Sequence, residues 1–211
     1  METGATPSKQ ALRAALKARL KRPVTEADAA ALRRRLEAFL AAGAYGTLVA
    51  FVPMADEPDI RPVMAAALAA GKALFLPRYD GGSRLYELVR VANLEADLER
   101  GHYGIDEPRA NLPAAESLPS ATLWLIPALA FDPRRGTRLG RGGGFYDRLL
   151  TRYPDGFRLG IAWDFQIRHD LPAEAHDRPV DAILTDAALY RPGFKIGQTH
   201  ERMDGFPDMP V

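Results

Sequence analysis

Apolar residues near the start of the chain recur at helical spacing. Leucines stand at every fourth position from Leu12 to Leu20, which places them on one stripe of a helix. Thr25 and Asp28 resemble a capping box, and the periodic apolar residues after them predict a second helix that ends at Gly43. The chain is therefore predicted to begin with two helices.

The next part of the chain contains short apolar runs that are typical of buried strands. Thr47–Val52 and Ala73–Leu76 are rich in β-branched or apolar residues, and prolines end both runs. Further strands are predicted at Leu85–Val91, Leu123–Ile126, Arg158–Trp163 and Ala182–Thr185.

Two more helices are predicted between these strands. Asp59 is the predicted cap of a short helix that has Pro62 in its first turn and Gly71 just beyond its end. The other helix is predicted at about Phe145–Tyr153. Because apolar strands alternate with amphipathic helices, we predict an α/β protein, a single three-layer domain whose mainly parallel central sheet is flanked by helices.

The sequence shows neither an internal repeat nor a linker that would divide this domain. We expect one domain over residues 1–211, with its core at about 8–190. Residues 93–121 are predicted to be mostly connecting chain, and residues 193–211 a C-terminal tail.

Composition excludes several classes of protein. The 28 Lys and Arg residues nearly cancel the 27 Asp and Glu residues, which argues against a polyelectrolyte binder of nucleic acid. The chain has no cysteine, so disulfides, thiolate metal sites and a cysteine nucleophile are excluded. No apolar stretch approaches the ~18–20 residues that cross a bilayer, and the N-terminus lacks a signal-peptide core. We therefore expect a cytoplasmic protein without a membrane partner.

A basic stripe lies on the first helix beside the leucines. It consists of Lys9, Arg13, Lys17 and Lys21. Like charges at this spacing repel by a few tenths of a kcal/mol per pair. One interpretation is a solvated basic face, and the other is that some of these cations contact a bound anion.

The segment Asp132–Asp147 (DPRRGTRLGRGGGFYD) holds the most informative chemistry, because it joins a predicted strand to a predicted helix. Its clustered glycines let backbone N–H groups turn toward one point without obstruction by Cβ atoms, and the following helix directs its dipole there. Arg138 and Arg141 add forked donors suited to phosphate or carboxylate. The segment predicts an anion-binding loop, and the alternative is a tight strand-to-helix turn.

This loop matches neither of the common nucleotide motifs. A dinucleotide fingerprint needs glycine where Phe145 stands, and no Gly-Lys-Ser/Thr triplet follows the glycines. Asp147 lies in the first turn of the predicted helix, where the dipole favours a carboxylate. Beside a phosphate it would repel the ligand unless a cation lay between them, and Mg²⁺ prefers such carboxylate and phosphate oxygens.

Longer segments resemble one known family, the 5-formyltetrahydrofolate cyclo-ligases. LIPALAFDPRRGTRLGRGGGFYDRLL resembles the family's signature segment. KQALR (Lys9–Arg13) resembles its nucleotide-contacting helix, and FVPMADEPDI (Phe51–Ile60) its folate-contacting strand and loop. LFLPRY, HYGIDEP and VDAILTD follow in the family's order, so the resemblance covers about residues 8–190.

The resemblance implies an ATP- and Mg²⁺-dependent reaction of a small-molecule substrate, 5-formyltetrahydrofolate. ATP phosphorylates the formyl oxygen, the folate N10 closes the ring, and phosphate departs to give 5,10-methenyltetrahydrofolate and ADP. No side-chain nucleophile is needed, which agrees with the absence of cysteine. We expect the protein to act as a monomer.

The resemblance also implies a role for each matching position. The implied catalytic residues are Arg141, Tyr146 and Lys9. The implied ATP contacts are Lys9, Arg13, Arg138, Leu139, Gly140, Arg141, Gly142, Gly143, Gly144, Phe145 and Tyr146. The implied folate contacts are Arg13, Val52, Glu57, Arg141, Gly142, Gly143, Gly144 and Phe145. The implied metal ligands are Asp147 and Asp177.

Arg78 is a further candidate because it follows a strand, and parallel sheets bind ligands near the carboxyl ends of their strands. It is expected either to face the glutamate tail of the folate or to form a surface ion pair.

Two other functions are kept open. The first is another α/β enzyme, such as a sugar-phosphate isomerase or a CoA-transferase relative, since fold alone does not decide chemistry. The second is a nucleotide- or folate-binding protein without turnover. Phe145 supports the second, because many relatives have tyrosine there and its hydroxyl is missing here.

Overall fold

The structure is a computed structural model that describes residues 8–20 and 22–192, without the side chains of Arg19 and Tyr103. The predicted tail, residues 193–211, and Lys21 lie outside the described residues. Within the described residues, no helix is long and apolar enough to cross a membrane.

The predicted helices are confirmed, with small differences at their ends. They are α1 (Lys9–Arg19), α2 (Glu26–Ala42), α3 (Arg61–Ala69) and α4 (Phe145–Arg152). The capping box before α2 is complete, since the Thr25 hydroxyl accepts from the N–H of Asp28 and the Asp28 carboxylate accepts from the N–H of Thr25. The predicted cap of α3 is wrong by one residue: Ile60 is the N-cap, and Asp59 accepts instead from the N–H of Arg61 at 3.1 Å.

Most strands belong to a seven-stranded sheet of order β11-β10-β9-β6-β1-β2-β3. Its strands are β1 (Thr47–Val49), β2 (Ala73–Asp80), β3 (Leu85–Val91), β6 (Thr122–Pro127), β9 (Phe157–Ile161), β10 (Ala182–Leu184) and β11 (Leu189–Tyr190). The five central strands are parallel, and the antiparallel strands β3 and β11 form the two edges. The predicted mainly parallel α/β sheet is therefore confirmed.

The predicted end of β2 at Leu76 is wrong, because the strand passes through Pro77 to Asp80. Pairing with β1 ends at Phe75, and Leu88, which lies opposite Pro77 in β3, accepts from the N–H of Ala115 on its other side. No ladder hydrogen bond needs the N–H that proline lacks, so the strand continues.

Two short hairpins lie outside the main sheet. Residues 93–121 are mostly connecting chain, as predicted, but they also contain the unpredicted strands β4 (Leu98–Arg100) and β5 (Asp106–Pro108). The other hairpin pairs β7 (Ala130–Asp132) with β8 (Thr137–Leu139). It stands between β6 and α4, so the glycines follow a hairpin strand and not a strand of the main sheet.

Helices cover both faces of the sheet and make three layers. Leu48 and Leu125 pack in the core under α2 and α3, whereas their neighbours Val49 and Trp124 pack in the core with Leu149 of α4. The alternation of strand side chains explains why adjacent residues contribute to opposite faces. The predicted three-layer domain agrees with this packing.

Helix α1 lies apart from these layers, against the β7–β8 hairpin. Leu16 and Leu20 of α1 share a buried cluster with Leu129 and Leu139. This packing brings Arg13 of α1 to the glycines that follow β8.

The order in which strands are added to the sheet reverses at β1. From β1 the chain continues to β2 on one side, and it later returns to β6 on the other side. Such a switch point opens a crevice at the carboxyl ends of the two strands. The segments that leave these ends are residues 50–60 after β1, here called the acidic loop, and the β7–β8 hairpin with the glycines after β6.

Candidate active site

The glycine loop, residues 140–144, connects β8 to α4. Gly142 and Gly144 have φ angles of 111° and 62°, where side chains other than glycine are strained. Arg13 of α1 donates from Nε to the carbonyl of Gly140 at 3.0 Å, and Arg148 of α4 donates from Nη2 to the carbonyl of Gly143 at 2.8 Å. Since a peptide N–H points opposite to the preceding carbonyl, these contacts turn two N–H groups of the loop away from the arginines.

Arg138 does not reach into the glycine loop as a free cation. Its side chain is only 5% exposed, and Nη2 lies 2.5 Å from Oδ1 of Asp147. The same Oδ1 accepts from the N–H of Arg178 at 3.0 Å, and Arg138 donates to the Arg178 carbonyl. Burial lowers the pKa of Arg138 even though Asp147 opposes that shift. This pair fixes the start of α4 to β8 and to the loop around residue 178.

Lys9 binds a cluster of acidic residues before β10. Its Nζ lies 2.9 Å from Oδ2 of Asp177 and 3.2 Å from Oε1 of Glu174. Burial disfavours the charged lysine, but the hydrogen bonds from both carboxylates outweigh it and raise the pKa of Lys9. Burial likewise opposes ionisation of Asp177, whereas the N–H of Glu174 and the ammonium of Lys9 lower its pKa.

The two predicted metal ligands lie on adjoining segments. Asp147 accepts from the N–H of Arg178, the residue directly after Asp177. Oxygen and nitrogen atoms of Glu174, His176 and Asp177 also lie within 4.8 Å of one another. Carboxylate oxygens are ligands that Mg²⁺ prefers, so the residues beside the glycine loop fit the expected ion.

The acidic loop meets the glycine loop through Arg141. The guanidinium of Arg141 lies 3.3 Å from Oε1 of Glu57 and forms a second ion pair with Asp56. Oε2 of Glu57 accepts from the N–H of Met54 at 3.0 Å. Burial raises the pKa of Glu57, and this outweighs the opposing effects of Met54 and Arg141. The half-buried Val52 packs against the core at the start of the same loop.

Aromatic rings line the side of the site nearest β3. Phe145 contacts Tyr86 of β3 edge to face, with ring centroids 4.6 Å apart. Burial raises the pKa of Tyr146, and the charges of Glu57 and Arg138 also act on it. Its hydroxyl therefore stays protonated and can donate a hydrogen bond.

Two further predicted contacts, besides Arg138 and Lys9, have side chains that are engaged elsewhere. Arg78 lies 2.5 Å from Glu87 and donates to the carbonyls of Arg109 and Leu112. The structure thus shows an ion pair, although Arg78 is only 13% exposed and the pair is not on the surface as the alternative to a folate contact expected. Leu139 is buried in the cluster with α1, which leaves only its backbone for a ligand.

Sequence reasoning missed several residues of this site. Asp56 lay inside the segment that resembled the folate loop, but only Glu57 was singled out. Arg148 stands three positions after Phe145, a helical spacing that predicts contact between their side chains. Glu174 and Tyr86 gave no local signal, because only the fold brings them to the loop.

Comparison with known proteins adds the decisive observation. The model of the 5-formyltetrahydrofolate cyclo-ligase family matches residues 5–186. The chain belongs to this family. The alternative of an isomerase or CoA-transferase relative is thereby excluded.

Relatives support the cyclo-ligase assignment along most of the chain. The 5-formyltetrahydrofolate cyclo-ligase of Mycolicibacterium smegmatis is 33% identical over 165 residues, which cover 77% of this chain and 84% of that protein. The enzyme of the same name from Mus musculus is 33% identical over 64% of this chain and 70% of its own length.

Solved cyclo-ligase structures share the fold. The NMR structure of Aquifex aeolicus 5,10-methenyltetrahydrofolate synthetase aligns with a TM-score of 0.71 at 29% identity, covering 92% of this chain and 98% of that one. The Mycoplasma pneumoniae synthetase aligns at 0.64 and 23% identity, over 85% and 99% of the two chains, and supports the fold alone.

Proposed function

We propose that this chain is a 5-formyltetrahydrofolate cyclo-ligase that uses ATP and Mg²⁺ to form 5,10-methenyltetrahydrofolate, ADP and phosphate. The observation that carries the proposal is the contact between Arg141 and Glu57. It joins the loop predicted to hold nucleotide to the loop predicted to hold folate. A reaction between the two substrates needs the γ-phosphate beside the formyl group, and these loops meet at one place.

The glycine loop and its arginines are suited to bind the polyphosphate. A methyl group at Gly143 would stand 2.3 Å from the ring of Phe145, and one at Gly144 would stand 3.2 Å from Arg148. Glycine therefore keeps the backbone close to these side chains and open to a ligand. Arg13 adds positive charge, and Lys9 and Arg141, which are paired with carboxylates, add further donors for phosphate oxygens as the phosphoryl group is transferred.

Mg²⁺, when bound, would neutralise phosphate oxygens and align them for transfer. Asp147 and Asp177 are the residues proposed to hold it. Each carboxylate is already oriented by a backbone N–H, from Arg178 and Glu174 respectively. Arg138 fixes Asp147 further, so the ligand oxygens need little rearrangement.

Glu57 is proposed to accept hydrogen bonds from the N–H edge of the folate pterin. Its side chain is 10% exposed, and the Met54 N–H fixes one of its oxygens. Val52, Phe145 and the glycine loop are proposed to contact the same substrate. Tyr146, with its protonated hydroxyl, is proposed to donate to the formyl or phosphoryl oxygen during transfer.

In this reaction the formyl oxygen attacks the γ-phosphorus and ADP leaves. N10 then attacks the activated formyl carbon, and inorganic phosphate and the N10 proton leave as the ring closes. The side chains orient the two substrates and stabilise charge but form no covalent bond. We infer that the chain works as a monomeric, cytoplasmic single-domain enzyme. A measurement of molecular mass in solution tests whether it is monomeric.

The decisive experiment follows the near-ultraviolet absorbance of the methenyl product from 5-formyltetrahydrofolate, with and without ATP and Mg²⁺. Product only when both are present supports the proposal. Binding of ATP and folate without turnover would instead favour a binding protein, and turnover without ATP would refute the proposed chemistry.

A further inference from the structure

Cations around the glycine loop differ in whether a carboxylate neutralises them. The neutralised pairs are Arg138–Asp147, Arg141–Glu57 and Lys9–Asp177. Arg148, which the family resemblance did not single out, is different. Among the residues that the structure describes, no carboxylate forms an ion pair with its guanidinium. Its charge is therefore available to an anion at the loop.

Arg148 folds back over the first turn of α4 toward the loop. Its Nη2 donates to the Gly143 carbonyl at 2.8 Å, and its Cζ lies 5.2 Å from the centre of the Phe145 ring. Its Nη1 lies 3.2 Å from the position that a Cβ of Gly144 would take. The guanidinium thus forms one wall of the glycine loop while remaining on the exposed surface.

The position of this charge is unfavourable for the free helix. Arg148 is the fourth residue of α4, and cations near a helix N-terminus are opposed by the helix dipole. An anion bound at the loop would remove this conflict, because it would interact favourably with both the dipole and the guanidinium. Of the five guanidinium N–H donors, only one, on Nη2, has an acceptor among the described residues.

We propose that Arg148 is a further polyphosphate-binding residue of this site. It acts together with Arg13, whose guanidinium also binds a loop carbonyl and forms no ion pair among the described residues. Each arginine donates to one carbonyl of the loop and offers its other N–H groups to phosphate oxygens. This inference rests on the proposed function, because it assigns the anion as the phosphates of the nucleotide.

The test compares Arg148→Ala and Arg148→Lys with Arg152→Ala. Arg152 is a matched control, since it is also an exposed arginine of α4 with its Cζ 5.2 Å from an aromatic ring, that of Tyr153. It has no hydrogen bond to the glycine loop among the described contacts. The readouts are the dissociation constant of Mg²⁺-ATP by calorimetry without folate, the KM of each substrate, kcat and the thermal midpoint.

Arg148→Ala is expected to weaken ATP binding about ten-fold, as loss of a charged hydrogen bond predicts. The KM of folate should change less than about two-fold by the same reasoning, and Arg148→Lys should recover part of the loss because it keeps the charge. Arg152→Ala should bind ATP like the unmodified protein. Added salt should weaken ATP binding less in Arg148→Ala than in the unmodified protein.

Equal ATP affinity in Arg148→Ala and Arg152→Ala would overturn the inference. So would an equal rise in the KM of both substrates with a lowered thermal midpoint and no recovery by lysine, since that pattern belongs to a structural role. If the unmodified protein binds ATP but has no turnover, the proposed function fails while the calorimetric comparison still decides the role of Arg148.

Discussion

Arg141 and Glu57 stand 84 positions apart in the chain, yet the guanidinium Nε and Nη2 of Arg141 both lie 3.3 Å from Oε1 of Glu57. One residue belongs to the glycine loop and the other to the acidic loop. Their contact makes the two proposed substrate sites parts of one charge network. A ligand that engages either side chain therefore changes the surroundings of the other.

A double-mutant cycle between Arg141→Ala and Glu57→Gln is expected to be non-additive. Each single change should lower kcat/KM, and the coupling should be about 0.5–3 kcal/mol, as for residues in one charged network. Arg141→Ala should raise the KM of ATP because it removes a hydrogen-bond donor to phosphate. It should also raise the KM of folate because Glu57 loses the partner that holds its carboxylate in place. Initial rates over both substrate concentrations measure these effects.

Asp59 supplies the control for this cycle. It lies in the same loop, but its carboxylate pairs with Arg61 and not with Arg141. Arg141→Ala and Asp59→Asn should therefore be additive. Equal coupling for Asp59 and Glu57 would show that the loop responds as a whole and that the specific ion pair is unimportant.

Gly143→Ala is expected to lower turnover on the order of 10²-fold while the protein stays folded. The new methyl group would stand 2.3 Å from Cε2 of Phe145. Rotation of the Phe145 side chain relieves this clash, but it also removes the ring from Tyr86 and Arg148. Steady-state rates and far-ultraviolet circular dichroism separate lost function from lost structure.

Gly140→Ala is the matched comparison within the same loop. A methyl group there meets nothing within 4 Å, and Gly140 is not among the residues with a positive φ. Its loss of turnover should be clearly smaller than that of Gly143→Ala. Similar losses would argue that any side chain in the loop blocks the ligand, whatever its effect on Phe145.

Asp147→Asn is expected to reduce both stability and the response to Mg²⁺. The change leaves the buried Arg138 without its carboxylate, which should lower the free energy of unfolding by roughly 2 kcal/mol. If Asp147 also binds the metal, half-maximal turnover should need about ten-fold more Mg²⁺ or higher. Urea unfolding and a titration of turnover against Mg²⁺ measure the two effects separately.

Glu87→Gln controls for the structural part of this result. Glu87 pairs at 2.5 Å with Arg78, whose side chain is 13% exposed, so its loss also leaves a largely buried arginine unpaired. This variant should lose stability without a change in the Mg²⁺ requirement. An unchanged Mg²⁺ requirement in Asp147→Asn would remove that residue from the metal site.

The stability of the protein should depend on pH through Glu57 in a defined direction. Burial raises the pKa of Glu57 above its ordinary value of 4.5, so above that pH the folded state keeps a proton that the unfolded chain has lost. The contribution of Glu57 to stability is complete below pH 4.5 and declines as pH rises toward the folded pKa. Glu57→Gln should lack this decline when urea unfolding is measured across a pH series.

Asp59 should contribute a pH dependence of stability in the opposite direction, which Asp59→Asn should lack in the same series. Its hydrogen bonds with Arg61 lower the pKa of Asp59 below 3.8, so its contribution is present above that pH and is lost on further acidification. Parallel pH profiles of the two variants would contradict the assignment of opposite pKa shifts.

The sequence alone determined the class of the fold, the family and the glycine loop. Apolar runs and helix signals are local properties, so the four helices and the main parallel strands could be predicted from periodicity, caps and breakers. The short hairpin β4–β5 and the strand β11 were missed because their few residues carry too little pattern. Pro77 was misread as a strand end because its tolerance depends on which neighbour lies beside it.

Only the tertiary structure decided the partner of each charged side chain. The sequence predicted Lys9, Arg138 and Arg141 as contacts of a bound anion, whereas folding places a carboxylate of the protein against each of them. Those carboxylates come from distant segments, and ion pairs act over a few ångströms in space whatever the separation along the chain. Helical spacing predicts the contact of Arg148 with Phe145, but only the folded molecule shows its hydrogen bond to the glycine loop and that no described carboxylate pairs with it.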